Sequence, residues 1–255
     1  MLRKLVNRIV PWALPILLII TWQLFSMLGL LSNRFLPAPS DISIAFVNLL
    51  SNGELFEHIL ISTQRAFLGL LIGGVIGLLF GILNGVSKLS EILFDSSLQM
   101  IRNIPHLSLI PLVILWFGIG EEGKIFLIAL GVLFPIYLNT YHGIRSVDPE
   151  LIEMGKSYQL NRIQLFFHVI LPGALSSILV GLRFGLGIMW VTLIVAETIS
   201  ASSGIGFLAM DAREFMRLDV VVLSIILYAL LGKLSDWMAK VLEYRFLRWN
   251  RNYQK

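Results

Sequence analysis

Residues 155–157 read Gly-Lys-Ser, which is the last part of a phosphate-binding loop. A complete loop of this kind has the pattern G-x-x-x-x-G-K-[ST] and lies between a buried strand and a helix. Here Glu150 occupies the position of the first glycine, and a second partial match upstream ends in Ile125, which has no hydroxyl for magnesium. Neither stretch is a complete nucleotide site, which raises the question of what residues 149–160 do instead.

Other residues that could carry chemistry are sparse. The four histidines are scattered along the chain, cysteine is absent, and no His-Glu-x-x-His pair occurs. The lack of cysteine excludes disulfides, thiol catalysis and thiolate metal ligands. We therefore predict no catalytic set and no metal site, and we do not expect an enzyme.

The composition is that of an integral membrane protein. Of 255 residues, 56% are hydrophobic and 14% are charged, against roughly 25% charged residues in an average soluble domain. Several stretches contain no Asp, Glu, Lys or Arg, and a spanning helix needs about 20 mostly apolar residues. These stretches are 9–33, 66–87, 103–120, 125–144 and 184–196. The sequence thus predicts an all-α integral membrane protein.

We predict about six spanning helices. They are expected at residues 11–31, 65–85, 96–118, 123–143, 174–197 and 219–240. The first apolar stretch is too long for the roughly 7–15 residues of a signal-peptide core, so we interpret it as a retained helix. Pro105 and Pro111 are expected kink points in the third span. Residues 171–173, Leu-Pro-Gly, are expected to break the chain between a short helix outside the membrane and the fifth span.

Basic residues predict the orientation, because lysine and arginine concentrate on the cytoplasmic side of a membrane protein. They are dense at the N-terminus, in the loop after the fourth span and at the C-terminus. The C-terminal set is Lys240, Arg245, Arg248, Arg251 and Lys255. We therefore predict that both termini are cytoplasmic. This bias accounts for the net charge of +4 without a nucleic-acid partner.

Glycine recurs every fourth residue along the second predicted span. The positions are Gly69, Gly73, Gly77, Gly81 and Gly85. Small residues at this spacing form a smooth ridge that lets another helix approach closely in lipid. The ridge predicts a tight helix contact, either inside one subunit or between two subunits.

The loop that contains residues 149–160 begins with a helix signal. Asp148 can cap the first free amides of a helix, and Pro149 suits its first turn. On that helix the apolar residues share one side and the carboxylates lie on another, and a Gly-Lys-Ser inside a helix cannot wrap a phosphate. We interpret this short amphipathic helix as a docking element; a helix lying on the lipid surface is the alternative.

This loop resembles the EAA loop of ABC-importer permeases, which runs E-A-A-x-x-x-G, nine residues, then I-x-L-P. Glu153 stands at the Glu of that pattern, but Gln159 replaces its glycine, which puts the tight turn of the loop in question. Residues 110–124, 173–199 and 210–236 also resemble the nitrate/sulfonate/taurine branch of these permeases, and above all the aliphatic-sulfonate permeases. The resemblance assigns ATPase docking to Glu150, Glu153, Met154, Gly155, Tyr158, Gln159, Leu171 and Pro172.

The resemblance implies the type I (MetI-like) importer fold with a cytoplasmic coupling helix. Residues 1–255 would form one permease domain, with the core at 59–240 and the coupling loop at 145–172. It further implies a permease homodimer in a bacterial inner membrane and two ATPase subunits, which would bind ATP and magnesium and dock on the EAA helices. An extracytoplasmic binding protein would deliver the substrate, and this chain would hold no cofactor. An ion-coupled secondary carrier is the alternative from another class, but such carriers typically contain inverted repeats, and none stands out.

Ionisable residues inside spans usually line a cavity or find a partner. Arg183 lies roughly 14 Å into the fifth span by helical rise, and Arg102 lies near the start of the third. Their positive charge would suit a small anion; the alternative is structural pairing with a carbonyl or with an acid such as Glu197 or Asp95. Glu197 is also a candidate for a gate with residues 200–206.

The resemblance favours an aliphatic sulfonate as substrate, with taurine, nitrate or bicarbonate, and a thiamine-precursor pyrimidine as alternatives. The candidate pathway residues are Arg102, Asn103, His106, Arg183, Trp190 and Glu197.

Overall fold

The computed structural model describes residues 2–32 and 35–249, and every regular element in these ranges is a helix. The predicted all-α class is therefore confirmed, while Arg251 and Lys255 lie outside the described ranges. The helices are α1 (Leu2–Met27), α2 (Pro39–Ser51), α3 (Glu54–Val86), α4 (Lys88–Arg102), α5 (Ile110–Phe117), α6 (Glu121–Arg145), α7 (Pro149–Ser157), α8 (Arg162–Leu165), α9 (Leu171–Ser200), α10 (Ile205–Glu214) and α11 (Leu218–Phe246). A 3-10 turn (His106–Leu109) precedes α5, and a π-helical turn (Phe166–Ile170) joins α8 to α9.

Within the described residues, four helical segments are long and apolar enough to cross a membrane: α3, α6, α11 and the run from α8 through α9. The pair formed by α4 and residues 106–117 makes a fifth candidate, although it is bent by 78°. α1 contributes a shorter apolar helix, Ala13–Met27. The predicted six spans therefore correspond to four long helices, one broken span and one shorter helix.

The third predicted span, 96–118, is not one helix. α4 ends at Arg102, and the chain bends before the 3-10 turn that begins at His106. Proline removes a backbone donor and disfavours a helical conformation in the residue before it, so Pro105 separates the two parts. The kink expected at Pro105 is confirmed, and the third predicted span corresponds to this bent pair of helices.

The glycine ridge of α3 packs against α6. A Cβ atom at Gly73 would collide with the carbonyl group of Ala129, and a Cβ at Gly85 would lie 2.9 Å from the Cβ of Ile144. These contacts advance in the same direction along both helices, so α3 and α6 run parallel. The interpretation of the ridge as helix packing inside one subunit is confirmed.

α9 packs on α6 in the antiparallel direction. Gly143 near the end of α6 faces Ser177 near the start of α9, and Gly131 faces Thr192 further along α9. Several of these glycines leave no room for a Cβ, with Ser177 Cβ only 2.7 Å from the position it would take at Gly143. α6 is therefore the central helix of the bundle, with α3 and α9 packed closely against it.

α11 is antiparallel to α9. Glu197 near the end of α9 contacts Tyr228 in the first half of α11, and Arg183 in the middle of α9 contacts Asp236 further along α11. α3, α6 and α11 run in one direction and α9 runs in the opposite direction. The C-terminal end of α11 therefore lies on the same side of the bundle as α7. We call this side the α7 end, and the opposite side, where Glu197 lies, the far end.

The helix break expected at residues 171–173 is wrong. From Arg162 to Ile199 the chain forms one continuous helical rod of 38 residues. The π-helical turn Phe166–Ile170 comes directly before Leu171 and Pro172. A proline ring clashes with the preceding turn of a regular α-helix, and the wider π turn accommodates it.

Candidate functional site

Residues 148–172 form a compact segment at the α7 end. The side chain of Asp148 accepts a hydrogen bond of 2.9 Å from the backbone N–H of Glu150, and Pro149 occupies the first turn of α7. The helix start predicted from these residues is confirmed. Because α7 includes residues 155–157, the Gly-Lys-Ser sequence is helical and does not form a phosphate loop.

α7 has one anchored side and one exposed side. Gly155 is buried, and a Cβ there would lie 2.6 Å from Leu165 and 3.4 Å from Val169. α7 is therefore held closely against the helical rod. The exposed residues on α7 and directly after it include Glu150, Leu151, Glu153, Met154 and Tyr158. This exposed set, which we call the docking face, combines apolar side chains with two carboxylates.

The turn after α7 forms with glutamine in the glycine position of the EAA pattern. Gln159 has a φ of 60°, in the left-handed region that glycine enters without steric cost. The backbone N–H of Leu160 donates to the carbonyl oxygen of Gly155 at 3.2 Å, and Asn161 and Gln164 then form a capping box at the start of α8. The doubt that Gln159 raised about the turn is removed, since the turn is made with a non-glycine residue.

Leu171 and Pro172, the last residues of the predicted docking set, are half-buried at the start of α9. They are part of the helical rod and do not belong to the docking face. Ile163 and Phe167, which the sequence analysis did not single out, are exposed on α8 and the π turn. Exposed apolar residues therefore occur on both α7 and the beginning of the rod.

A cavity of about 670 Å³ lies beside α9, between the 3-10 turn and α11. It brings together two of the predicted pathway residues, His106 and Arg183, together with Thr192 and Asp236. The Nε2 atom of His106 lies 2.9 Å from the hydroxyl oxygen of Thr192. The remaining wall is mainly apolar and includes Val180, Phe184, Leu186, Ile188 and Val191.

Arg183 is held at one side of this cavity by α11. Its Nε donates to Asp236 at 2.7 Å, and its Nη1 lies 4.0 Å from Glu243. Arg183 therefore does pair with an acid, as the structural alternative expected, but the acids come from α11 and are neither Glu197 nor Asp95. The side chain of Arg183 is still 41% exposed.

The predicted pathway residues Arg102, Asn103 and Trp190 do not line this cavity. Arg102 and Asn103 are exposed at the end of α4 and are not among the residues that line the cavity. Trp190 is buried, and its indole N–H donates to the hydroxyl of Ser235 at 2.8 Å. Trp190 therefore ties α9 to α11 behind the cavity wall.

Glu197 lies at the far end, in a buried polar cluster that joins five helices. Its carboxylate accepts hydrogen bonds from Arg65 at 2.7 Å and from Tyr228 at 2.8 Å, and from the backbone N–H of Gly206 at 2.9 Å. We call these residues and their contacts the far-end cluster. Its members are Ser62, Arg65, Glu121, Glu197, Ser203, Gly206 and Tyr228. Glu197 thus contacts the segment 200–206 through Gly206, and the gate expected from these residues stays a prediction.

Arg65 is the centre of this cluster, and the sequence analysis missed it. Its guanidinium donates to Glu121 and Glu197, and to both the carbonyl and the hydroxyl of Ser203 at 2.6 and 3.0 Å. The sequence does contain a signal for this role, namely a single arginine next to an apolar stretch. A charged side chain inside a membrane-spanning helix requires a partner. The span predicted from the sequence starts only at Arg65, whereas α3 begins eleven residues earlier at Glu54 and places Arg65 inside a long helix.

Metal chemistry has no cluster to support it within residues 2–32 and 35–249. No group of three or more His, Asp or Glu in these ranges could hold a metal ion.

Residues 73–248 match the family model described as the binding-protein-dependent transport system inner membrane component. A putative aliphatic sulfonates transport permease protein of Escherichia coli (strain K12) is 60% identical over 251 residues, which cover 98% of this chain and 95% of that protein. A protein of the same description from Bacillus subtilis (strain 168) is 47% identical, covering 94% and 87%. The taurine transport system permease protein of E. coli is 34% identical, covering 98% of each chain.

Solved structures share the fold at low sequence identity. An amino acid ABC transporter crystallised with histidines gives a TM-score of 0.64 at 18% identity, covering 80% of this chain and 96% of that chain. A methionine ABC transporter in an inward-facing conformation gives a TM-score of 0.57 at 22% identity, covering 71% and 92%.

Proposed function

This chain belongs to the family of binding-protein-dependent transport system inner membrane components, and on that premise we propose that it forms half of the membrane path of an ATP-driven aliphatic-sulfonate importer. The predicted family and the type I importer fold are confirmed. The prediction of a transport permease and not an enzyme is confirmed as well. The chain is a multi-pass membrane protein of an inner-membrane family.

The substrate proposal is supported by the relatives. The two permeases described as transporting aliphatic sulfonates are 60% and 47% identical to this chain, whereas the taurine permease is 34% identical. All three similarities extend over nearly the whole chain, so they include the residues around the cavity. Aliphatic sulfonates are therefore the first substrates to test, with taurine as the comparison.

The docking face is the observation that carries the proposed motor contact. α7 presents exposed Leu151, Met154 and Tyr158 together with carboxylates, while buried Gly155 fixes the helix on the rod. An exposed apolar surface with a charged rim on a rigid support is typical of a protein interface. We expect a separate ATPase subunit to bind here and to hold the ATP and magnesium, because residues 155–157 are helical.

Alternating access then has a direct structural basis. In the proposed assembly two copies of this chain face each other, and one ATPase docks on each α7. The α7 end is cytoplasmic in this arrangement, and a binding protein delivers the sulfonate at the far end. ATP must bind more tightly to the complex in its outward-open state, since a ligand shifts a conformational equilibrium only through its differential affinity.

Reversing one charge on the docking face tests the motor contact. Glu153 is exposed, and its carboxylate would contribute a charge-assisted hydrogen bond of about 1.5–3 kcal/mol to an ATPase. We expect Glu153→Lys to release the ATPases or to uncouple ATP hydrolysis from transport, and Glu153→Gln to have a smaller effect. The measurements are co-purification of the ATPases and substrate-stimulated ATP hydrolysis after reconstitution.

Lys156→Ala is the matched control on the same helix. A lysine of a true phosphate loop is essential for nucleotide binding, whereas Lys156 of a docking helix is not. ATP binding by the Lys156→Ala complex should therefore equal that of the wild type. Loss of ATP binding with the ATPases still attached would overturn the docking proposal.

The proposed dimer has its own test. Native mass spectrometry that finds one permease per active complex would overturn it.

A further inference from the structure

The cavity beside α9 has polar groups at two separated places and an apolar wall between them. Arg183 and Asp236 form the first polar place, and His106 and Thr192 form the second. Arg183 and Thr192 are nine positions apart on the same helix, which corresponds to about 14 Å of helical rise. This distribution fits a ligand with one charged head and an extended apolar tail.

We propose that this cavity is a sulfonate subsite of the permease itself, in which the guanidinium of Arg183 binds the sulfonate head and the apolar wall of α9 holds the alkyl chain. The inference rests on the proposed function and adds a place and an orientation for the substrate. It assigns part of the selectivity of transport to this chain, in addition to whatever selectivity a binding protein supplies.

The charge balance around Arg183 favours an anion. Asp236 is shared by three cations, since Lys240 lies 3.1 Å and Lys233 lies 3.8 Å from its second carboxylate oxygen. With Glu243 included, three positive side chains face two negative ones. The group therefore carries a net positive charge, and the charge of Asp236 is compensated by lysines even when Arg183 turns to a ligand.

Arg183 also has donors available for a sulfonate. Its Nε is used by Asp236, and within the described residues its Nη atoms donate no hydrogen bond. The planar guanidinium presents its N–H groups in a fork that matches two oxygens of a tetrahedral anion. A sulfonate at this place would complete the hydrogen bonding of Arg183 without removing its pair with α11.

The wall between the two polar places suits an alkyl chain and disfavours a second charge. Phe184, Ile188 and Val191 line this part of the cavity, and the position of a Cβ on Gly187 has no atom within 4 Å. An alkyl tail leaves water when it binds there, which is favourable by about 25 cal/mol per Å². The ammonium group of taurine would have to lie against the same apolar wall, which costs free energy unless it is paired.

The first experiment measures uptake in proteoliposomes by the full complex with its ATPases and binding protein. The probes are hexanesulfonate, methanesulfonate and taurine. We expect Arg183→Gln to lower hexanesulfonate uptake roughly tenfold or more, because one charge-assisted contact is lost. Lys88→Gln is the matched control: Lys88 is an exposed cation at the start of α4 that neither lines the cavity nor belongs to the charged group around Asp236, and uptake by this variant should stay within about twofold of wild type.

A second variant separates substrate binding from structural effects. Gly187→Leu should fold normally, because a Cβ there meets open space, and its side chain should fill the region proposed for the tail. We expect this variant to lose hexanesulfonate uptake about fivefold more strongly than methanesulfonate uptake, since only the longer chain needs that volume. A merely structural defect would lower both probes equally.

The outcomes discriminate between the two proposals. If the wild-type complex transports hexanesulfonate but Arg183→Gln equals Lys88→Gln, or Gly187→Leu leaves the ratio of the two probes unchanged, the subsite is wrong and the proposed function stands. If the wild-type complex transports none of the sulfonates, the proposed function and the subsite both fail. If Arg183→Gln does not assemble, the double variant Arg183→Gln with Asp236→Asn replaces it, because this variant also removes the unpaired carboxylate of Asp236. Its hexanesulfonate uptake is then compared with that of the control variant.

Discussion

Arg65 and Arg183 are the same residue type in two membrane-spanning helices, but their surroundings are opposite. The side chain of Arg65 is 3% exposed and is bound by Glu121, Glu197 and Ser203. The side chain of Arg183 is 41% exposed, and its close partner is Asp236 at the edge of the cavity. All N–H donors of Arg65 are directed at protein acceptors, whereas Arg183 keeps Nη donors that face the cavity.

The difference shows how environment separates a structural charge from a charge that is available to a ligand. A buried ion is costly unless its partners satisfy it, and removing one partner leaves an uncompensated charge. The far-end cluster therefore acts as a structural tie between helices. A half-exposed ion pair contributes little to stability, so the conformation of the bundle does not depend on Arg183.

The largest effect is expected when the far-end cluster loses its cation. Arg65→Gln leaves the fully buried carboxylate of Glu197 without its charge partner, which should cost about 3–5 kcal/mol. The measurement is the apparent melting temperature of the purified permease in detergent, with Arg183→Gln as the control. A melting temperature of Arg65→Gln equal to that of Arg183→Gln would remove the distinction between the two arginines.

Glycine substitutions compare the same two regions without changing charge. Gly204 has a φ of 108°, and a Cβ there would lie within 2.6 Å of Arg65 and closer still to Glu197. We expect Gly204→Ala to destabilise the permease by about 2–3 kcal/mol through backbone strain and overpacking.

Gly187→Ala, on the cavity side, is the control for this effect. Its Cβ meets open space, and alanine is about 1 kcal/mol more favourable than glycine inside a helix. Its melting temperature should be unchanged or higher. Equal destabilisation by both alanines would mean that the cavity wall is packed as tightly as the far-end cluster.

Removal of the Tyr228 hydroxyl tests how much one hydrogen bond to Glu197 contributes to stability. Tyr228 donates to Glu197 at 2.8 Å and is buried, and a hydrogen bond to a charged group contributes about 1.5–3 kcal/mol. Tyr228→Phe should therefore lower stability by about 1.5 kcal/mol, because Ser62, Arg65 and Gly206 still bind the carboxylate. The same melting assay applies, and an unchanged melting temperature would show that the hydroxyl is dispensable.

The smallest stability effect is expected at the cavity. Arg183→Gln should change the stability by less than about 1 kcal/mol, because Asp236 retains Lys240 and both residues of the original pair are partly exposed. Its uptake defect would then be large while its melting temperature is normal. A strong loss of stability would instead assign Arg183 a structural role like that of Arg65.

The sequence predicted the parts of the fold that depend on local composition. Charge-free stretches identified α3, α6 and α9, the glycine spacing identified the tight packing of α3, and Asp148 with Pro149 identified the start of α7. Each of these signals is contained in neighbouring residues. Pro105 was also recognised as a kink, but the size of a bend depends on what the two halves pack against.

The remaining errors concern contacts between distant segments. Arg183 and Asp236 are far apart in sequence, and their pairing follows from the antiparallel packing of α9 and α11. The same holds for Arg65 and Glu197. The continuity across Pro172 depends on a π turn, which has no local signature in the residue types. The exposed carboxylates of α7 could be predicted because they lie on one short helix, whereas the docking of an ATPase on this face stays a prediction.

The helical rod from Arg162 to Ile199 has a mechanical consequence. Its 38 residues span about 57 Å, and it contacts α7 at one end, carries Arg183 near its middle and holds Glu197 at the other end. Such a rod is a lever arm: a tilt of about 5° around one end sweeps the other by about 5 Å. A movement of α7 would therefore displace the cavity and the far-end cluster by amounts that depend only on their distances from the pivot. No series of side-chain rearrangements is needed to transmit this movement.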